Sequence, residues 1–79
     1  MTPAQCRAAR ALLGLSQEVA ASGSGVGIQT LIAFESGRRK PYARTIAAIR
    51  AALEGAGVVF LAENGNGPGV ALRKAAARA

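Results

Sequence analysis

The chain has 79 residues and carries ten Lys and Arg against four Glu and no Asp, for a pI near 11.2. That length builds one small domain with a modest core, expected to gain stability from a partner chain, and the charge excess makes polyanions, nucleic acid foremost, the first partner class. One Cys and no His exclude an internal disulfide, and with scattered Glu, no metal-ligand spacing and no phosphate-cradling glycine loop, neither an enzyme nor a cofactor site is expected.

The opening "MTPAQCRAARALLG" puts arginines inside the would-be apolar stretch, so neither a secretion signal nor a membrane span is readable. A cytoplasmic protein without membrane contact is expected. Thr2, Pro3 and Gln5 read as an N-cap, a proline at the first helical position and a capping box, and Gly14 as the stop, which predicts a helix over residues 3–13. Ala8 and Leu12, with Leu15 just beyond, carry its apolar spacing, leaving Arg7 and Arg10 on other faces. Cys6 reads as a small core or boundary residue.

Ser16 caps a second short helix, "SQEVAAS", which stops where Gly23, Ser24 and Gly25 turn the chain. Two helices joined by a glycine-containing turn form a helix-turn-helix arrangement. After Val26, Gly27 takes the cap position and "IQTLIAFE" forms the third helix. Leu31 and Phe34 share one side of it, and Ile28, Gln29, Ile32 and Ala33 the opposite side.

Gly37 ends that helix, Pro41 prevents its continuation, and Arg38, Arg39 and Lys40 fall in an exposed loop followed by Arg44. Ile46, Ile49 and Leu53 recur at helical spacing in a fourth helix from Ala43 to Glu54, ended by Gly55 to Gly57. The period then changes. "VVFLAE", residues 58–63, and "VALRK", residues 70–74, flank "NGNGPG", which predicts a β-hairpin followed by a frayed basic end, "AAARA". The expected organisation is a helical unit over 1–57 with the hairpin and tail, 58–79, as its dimerisation element.

The order Arg10, Gly14-Leu15-Ser16-Gln17, Gly25, Thr30-Leu31, Glu35 and Gly37 resembles the helix-turn-helix domain of the phage-repressor family, which includes Cro and the Xre-like bacterial regulators. The likeness covers residues 7–55. Any one piece is weak, whereas the set in a single ungapped frame is specific. The resemblance implies a mainly α, four-helix lambda-repressor-like domain whose third helix enters the major groove of double-stranded DNA.

Carried over by position, Gln17 would clamp phosphate or assist the recognition helix, Gly27, Ile28, Gln29 and Ala33 would face base edges, and Arg10 would pair with Glu35. Two departures stand out. Gly27 replaces the usual Ser or Thr cap, and Ala20 replaces a large aliphatic residue, weakening the cap and the packing of the second helix.

Positions usually polar on the DNA face hold Ile28, Ile32 and Ala33, so Gln29 is the one side chain there able to hydrogen-bond a base, adenine by preference. For Ile28 and Ile32 three readings stay open: contact with thymine methyls, an interface with another protein, or apolar surface residues without a role. For Arg38, Arg39, Lys40 and Arg44 two remain, phosphate neutralisation beside the recognition helix or a solvated loop.

A lone hairpin is marginal, and both faces of its first strand are apolar: Val58, Phe60 and Ala62 on one, Val59 and Leu61 on the other. One face is expected to cover the core and the other a second copy, with Val59, Phe60, Leu61, Val70 and Leu72 at the dimer interface. The functional expectation is a homodimeric, sequence-specific DNA-binding transcriptional regulator of bacterial or phage type without cofactor. Repression by occupancy is what the family implies for a chain of 79 residues with no effector domain. The alternative is a protein-binding module on the same fold, an antiactivator or antitoxin, docking a protein partner through the third helix.

Overall fold

The computed structural model of the protein describes residues 1–63 and 65–74, and the expected frayed end, residues 75–79, lies outside them. Four helices precede a two-stranded antiparallel hairpin: α1 (Pro3–Leu13), α2 (Gln17–Ser24), α3 (Ile28–Glu35), α4 (Ala43–Ala56), β1 (Val58–Leu61) and β2 (Gly69–Leu72).

The helix ends follow from local chemistry. Gln5 N–H donates to Thr2 Oγ1 at 3.0 Å and Thr2 N–H to Gln5 Oε1 at 2.9 Å, closing the capping box that starts α1. Ser16 Oγ accepts from Val19 N–H at 3.1 Å and caps α2. Gly14 and Gly25 then take left-handed conformations, φ +70° and +71°, to end α1 and α2; only glycine adopts these without steric cost. Helix α2 runs two residues past the expected "SQEVAAS" because Gly23 keeps a helical φ and Ser24 Oγ donates to Ala20 O at 2.6 Å. In the same way α4 passes through Gly55 and Ala56 and stops only at Gly57.

The core gathers Cys6 and Ala9 of α1, Ala20 and Ala21 of α2, Leu31 and Phe34 of α3, Ile49 and Leu53 of α4, and Val58 of β1. The buried stripe of α1 is therefore Gln5, Cys6 and Ala9, with Leu13 packed beside it, not the expected Ala8 and Leu12; Leu12 is exposed. Apolar residues occur on every side of α1, so spacing alone does not choose a face. The choice falls to Arg10, which turns toward a buried partner on α3.

The hairpin pairs Val58 with Leu72, Val59 with Ala71, Phe60 with Val70 and Leu61 with Gly69. Both strands are shorter than expected. Glu63 leaves the ladder, and its Oε2 accepts from Gly65 N–H and Gly67 N–H, each at 3.0 Å, organising the loop. Gln5 fastens the sheet to α1: its Nε2 donates to Gly69 O at 2.8 Å and, more weakly, to Leu61 O at 3.4 Å, the two carbonyls of the last hairpin pair. Arg73 N–H donates to Gly57 O at 2.7 Å and its guanidinium to Glu54 O, tying the far end to α4. The hairpin thus closes the core instead of projecting from it.

Candidate nucleic-acid interface

The elements that orient α3 converge on Glu35, its last residue, which is 2% exposed. Arg10 reaches it from α1 with two donors, Nε to Oε2 at 2.6 Å and Nη2 to Oε1 at 2.7 Å. The remaining guanidinium nitrogen, Nη1, donates to Leu15 O at 3.0 Å in the turn after α1. Gln17 Nε2 donates to Glu35 Oε1 at 3.1 Å, and Cys6 Sγ donates to Oε2 at 3.2 Å. Arg7 Nη1 donates to the Glu35 carbonyl oxygen. A planar two-donor contact fixes angle as well as distance, so α1, the turn and α2 all register the end of α3 through one carboxylate.

Burial on its own would raise the Glu35 carboxyl above its usual range; hydrogen bonds from Arg10, Cys6 and Gln17, with the charge of Arg10, outweigh it and hold the carboxyl lowered. Hydrogen bonding to Glu35 raises Arg10 in turn. The Cys6 thiol is pushed up to about 12, first by burial and then by donation to the carboxylate. Cys6 is a thiol donor in the core, not a nucleophile.

With its end fixed, α3 turns Leu31 and Phe34 into the core. Gly27 and Gln29 are exposed, and Thr30 and Ile32 half-buried. Two residues expected on the base-reading side are less open than Gln29. Ala33 is buried, and Ile28 packs against the core cluster from the first turn of α3. The helix is only eight residues long, and at ~100° per residue position 28 falls beside the inward stripe set by 31 and 34, whereas position 33 stays on the side of Gln29. With Ala33 covered where it lines the Gln29 side, the accessible apolar part of that face is reduced to Ile32. Gly27 makes no side-chain cap bond, in keeping with the missing hydroxyl.

Gln29 instead shares a cleft of about 230 Å³ with Thr30, Ala33, Arg38 and Arg39. A neighbouring cleft of about 370 Å³ is lined by Thr30, Arg39, Lys40, Pro41 and Tyr42. Arg44, in the first turn of α4, sits over the Tyr42 ring at 5.5 Å. Arg38, Arg39, Lys40 and Arg44 are all exposed, and no ion pair forms to any of them among the described residues. One side chain able to read a base edge thus stands beside a run of uncompensated cations. Gln17 is less free than a phosphate clamp requires, since its amide is turned to Glu35.

Sequence reasoning passed over Tyr42, which is 77% exposed, and Thr30 as a cleft wall. An aromatic residue inside a basic run was the available signal for the first. The second carried no signal, because Thr30 matched the family pattern only as a motif letter. On the hairpin, Phe60 and Val70 pack on the core and are withdrawn from any outer interface, whereas Val59, Leu61 and Leu72 are exposed. The cause is the two-residue period of the strand together with the 60-to-70 pairing, which puts both side chains on the inward face; Leu72, paired with Val58, shares that face by register yet stays exposed at the end of the strand.

Two helices joined at a left-handed glycine, the second of them carrying an exposed glutamine beside a cationic loop, define a DNA-binding helix-turn-helix domain. The helix-turn-helix family model matches residues 7–55, and the chain belongs to that family, of the Cro and Xre-like kind of DNA-binding transcription regulators. No curated relative matches the sequence. Among the described residues no helix is long and apolar enough to cross a membrane.

Proposed function

We propose that the protein is a sequence-specific transcriptional repressor that binds double-stranded DNA as a homodimer in the cytoplasm, without catalysis or cofactor, and acts by occupying its site. The observation that carries this reading is the single cleft shared by Gln29, Arg38 and Arg39. With α3 in the major groove, Gln29 bridges an adenine edge while the arginines neutralise flanking phosphates. Gly27 lets the backbone approach the bases closely, and Ile32 touches a thymine methyl. Lys40 and Arg44 extend the phosphate contacts along the strand, and Gln17 supports α3 through Glu35. Val59 and Leu61 give the second copy an apolar surface, with the exposed Leu72 at the edge of the opposite face, and two-fold symmetry then presents two α3 helices to successive major grooves.

Docking of an antiactivator or antitoxin type through α3 has a narrower basis than the sequence suggested, because Ile28 packs against the core and Ala33 is buried. Selection of duplexes from a random pool, followed by titration of selected and random DNA at several salt concentrations, tests the proposal. A preferred site bound in steps of two protomers supports it. Absence of binding to any duplex at low salt overturns it.

A further inference from the structure

A cleft of about 300 Å³, whose lining does not include Gln29, lies between the start of α1 and the start of α4. Its lining is mostly apolar: Met1 and Pro3 from the N-terminal turn, Phe34 from α3 and Ile46 from α4. Arg39 and Lys40 stand at its rim. Neither makes an ion pair among the described residues, and the sequence has only four acidic residues to offer. Of these, Glu35 and Glu54 hold Arg10 and Arg50, and Glu63 accepts from the hairpin loop.

We infer that this cleft is a binding site for a small aromatic carboxylate, and that its occupancy withdraws Arg39 and Lys40 from DNA phosphates. Both halves of such a ligand are matched. The volume lies at the lower end of small-molecule sites, room for one ring and a short arm. Phe34 offers an aromatic wall and Ile46 an aliphatic one to the ring, while the Arg39 guanidinium carries the paired donors that a carboxylate accepts. A free phosphate satisfies only the rim, because its hydrated oxygens gain nothing from an apolar floor. Arg39 lines this cleft and both clefts of the DNA-facing side, so one guanidinium serves either the carboxylate or the phosphate. That second half of the inference rests on the DNA-binding reading above.

Benzoate is the probe, with acetate supplying the charge alone and benzamide the ring alone. Titrations of the whole chain without DNA, followed by NMR at Phe34, Ile46 and Arg39, are expected to show saturable shifts with benzoate. Acetate and benzamide bind at least about tenfold more weakly, since each lacks one half of the contact. The Arg39→Ala, Lys40→Ala double variant changes two exposed side chains, keeps its helical circular dichroism and loses the benzoate shifts. In wild type, benzoate weakens binding to a selected duplex beyond chloride at matched ionic strength. Equal binding of benzamide, retention of benzoate shifts in the double variant, or no saturable shift overturns the site. Benzoate binding with unchanged DNA affinity overturns the competition alone. A chain that binds no duplex overturns the DNA reading, while the titration without DNA still decides the site.

Discussion

Arg10 and Glu35, 25 residues apart in sequence, meet through two hydrogen bonds of 2.6 and 2.7 Å, with Glu35 at 2% and Arg10 at 19% side-chain exposure. Because the pair holds the last residue of α3, it fixes the angle of that helix against α1.

Replacing Arg10 with Met removes the cation and leaves Glu35, with only Cys6 and Gln17 as side-chain donors, in a buried site. Breaking a buried pair on one side costs ~3–5 kcal/mol, against ~1 kcal/mol or less for an exposed one. Urea denaturation of Arg10→Met is expected to fall in the upper range. A loss below about 1 kcal/mol would mean that the pair behaves as a surface contact.

The same carboxylate makes stability depend on acid. The folded Glu35 carboxyl is lowered below its unfolded value, which for Glu is about 4.3. Its contribution is therefore fully present above that unfolded value and disappears as pH falls through the folded one. Thermal melts of wild type are expected to show Tm falling below pH 4, and Glu35→Gln, already less stable at pH 7, is expected to show a shallower fall. Parallel pH profiles for the two proteins would remove Glu35 from the acid response.

Much of this frame was legible from residue types alone. Caps at Thr2 and Ser16 and stops at Gly14 and Gly25 are local chemistry, and the structure keeps all four. The inward stripe of α1 was not legible, since alanines on several faces make the period ambiguous and a partner 25 residues away decides it. Ile28 misled for a related reason: an eight-residue helix has no room for a cleanly separated outer face. Cys6 gave no hint of its thiol donation, which exists only because α3 ends above it. The clefts around Arg39 come from how the loop folds back between α1, α3 and α4, and periodicity contains nothing of that.

Gln29 is exposed on α3 and joins Arg38 and Arg39 in one cleft. Gln29→Ala is expected to cost ~1–3 kcal/mol at the preferred duplex and to relax preference at one base pair, because a two-point contact to adenine is lost. Random duplex should be bound as before. Equal weakening of selected and random DNA in a filter or anisotropy titration would assign Gln29 to the backbone contacts.

Arg38 and Lys40, both exposed, are expected to act through phosphates and not through bases. Their joint replacement by Ala removes four cations from a dimer, and at ~0.9 per phosphate contact the slope of log affinity against log salt flattens by up to ~3.6. Selectivity between duplexes should persist, since phosphate contacts carry no sequence information. An unchanged slope would return both residues to a solvated loop.

The hairpin has to be tested on its outer face alone. Deleting residues 58–79 would strip Val58 from the core and release Gln5 from Gly69 O and Leu61 O, so a truncated chain would fail by unfolding. Val59 and Leu61, at 40% and 48% exposure, lie on the side facing away from Phe60 and Val70. Replacing both with Lys leaves the inward packing intact, and surface changes of this kind typically alter stability by less than about 0.5 kcal/mol per site. If these residues form the seam between copies, the double variant sediments as a folded monomer, because like charges then oppose each other across a two-fold axis. Its affinity for a full two-fold site should fall, while binding to a half-site stays near that of a wild-type protomer. A folded variant that still sediments as a dimer would place the contact between copies elsewhere on the molecule.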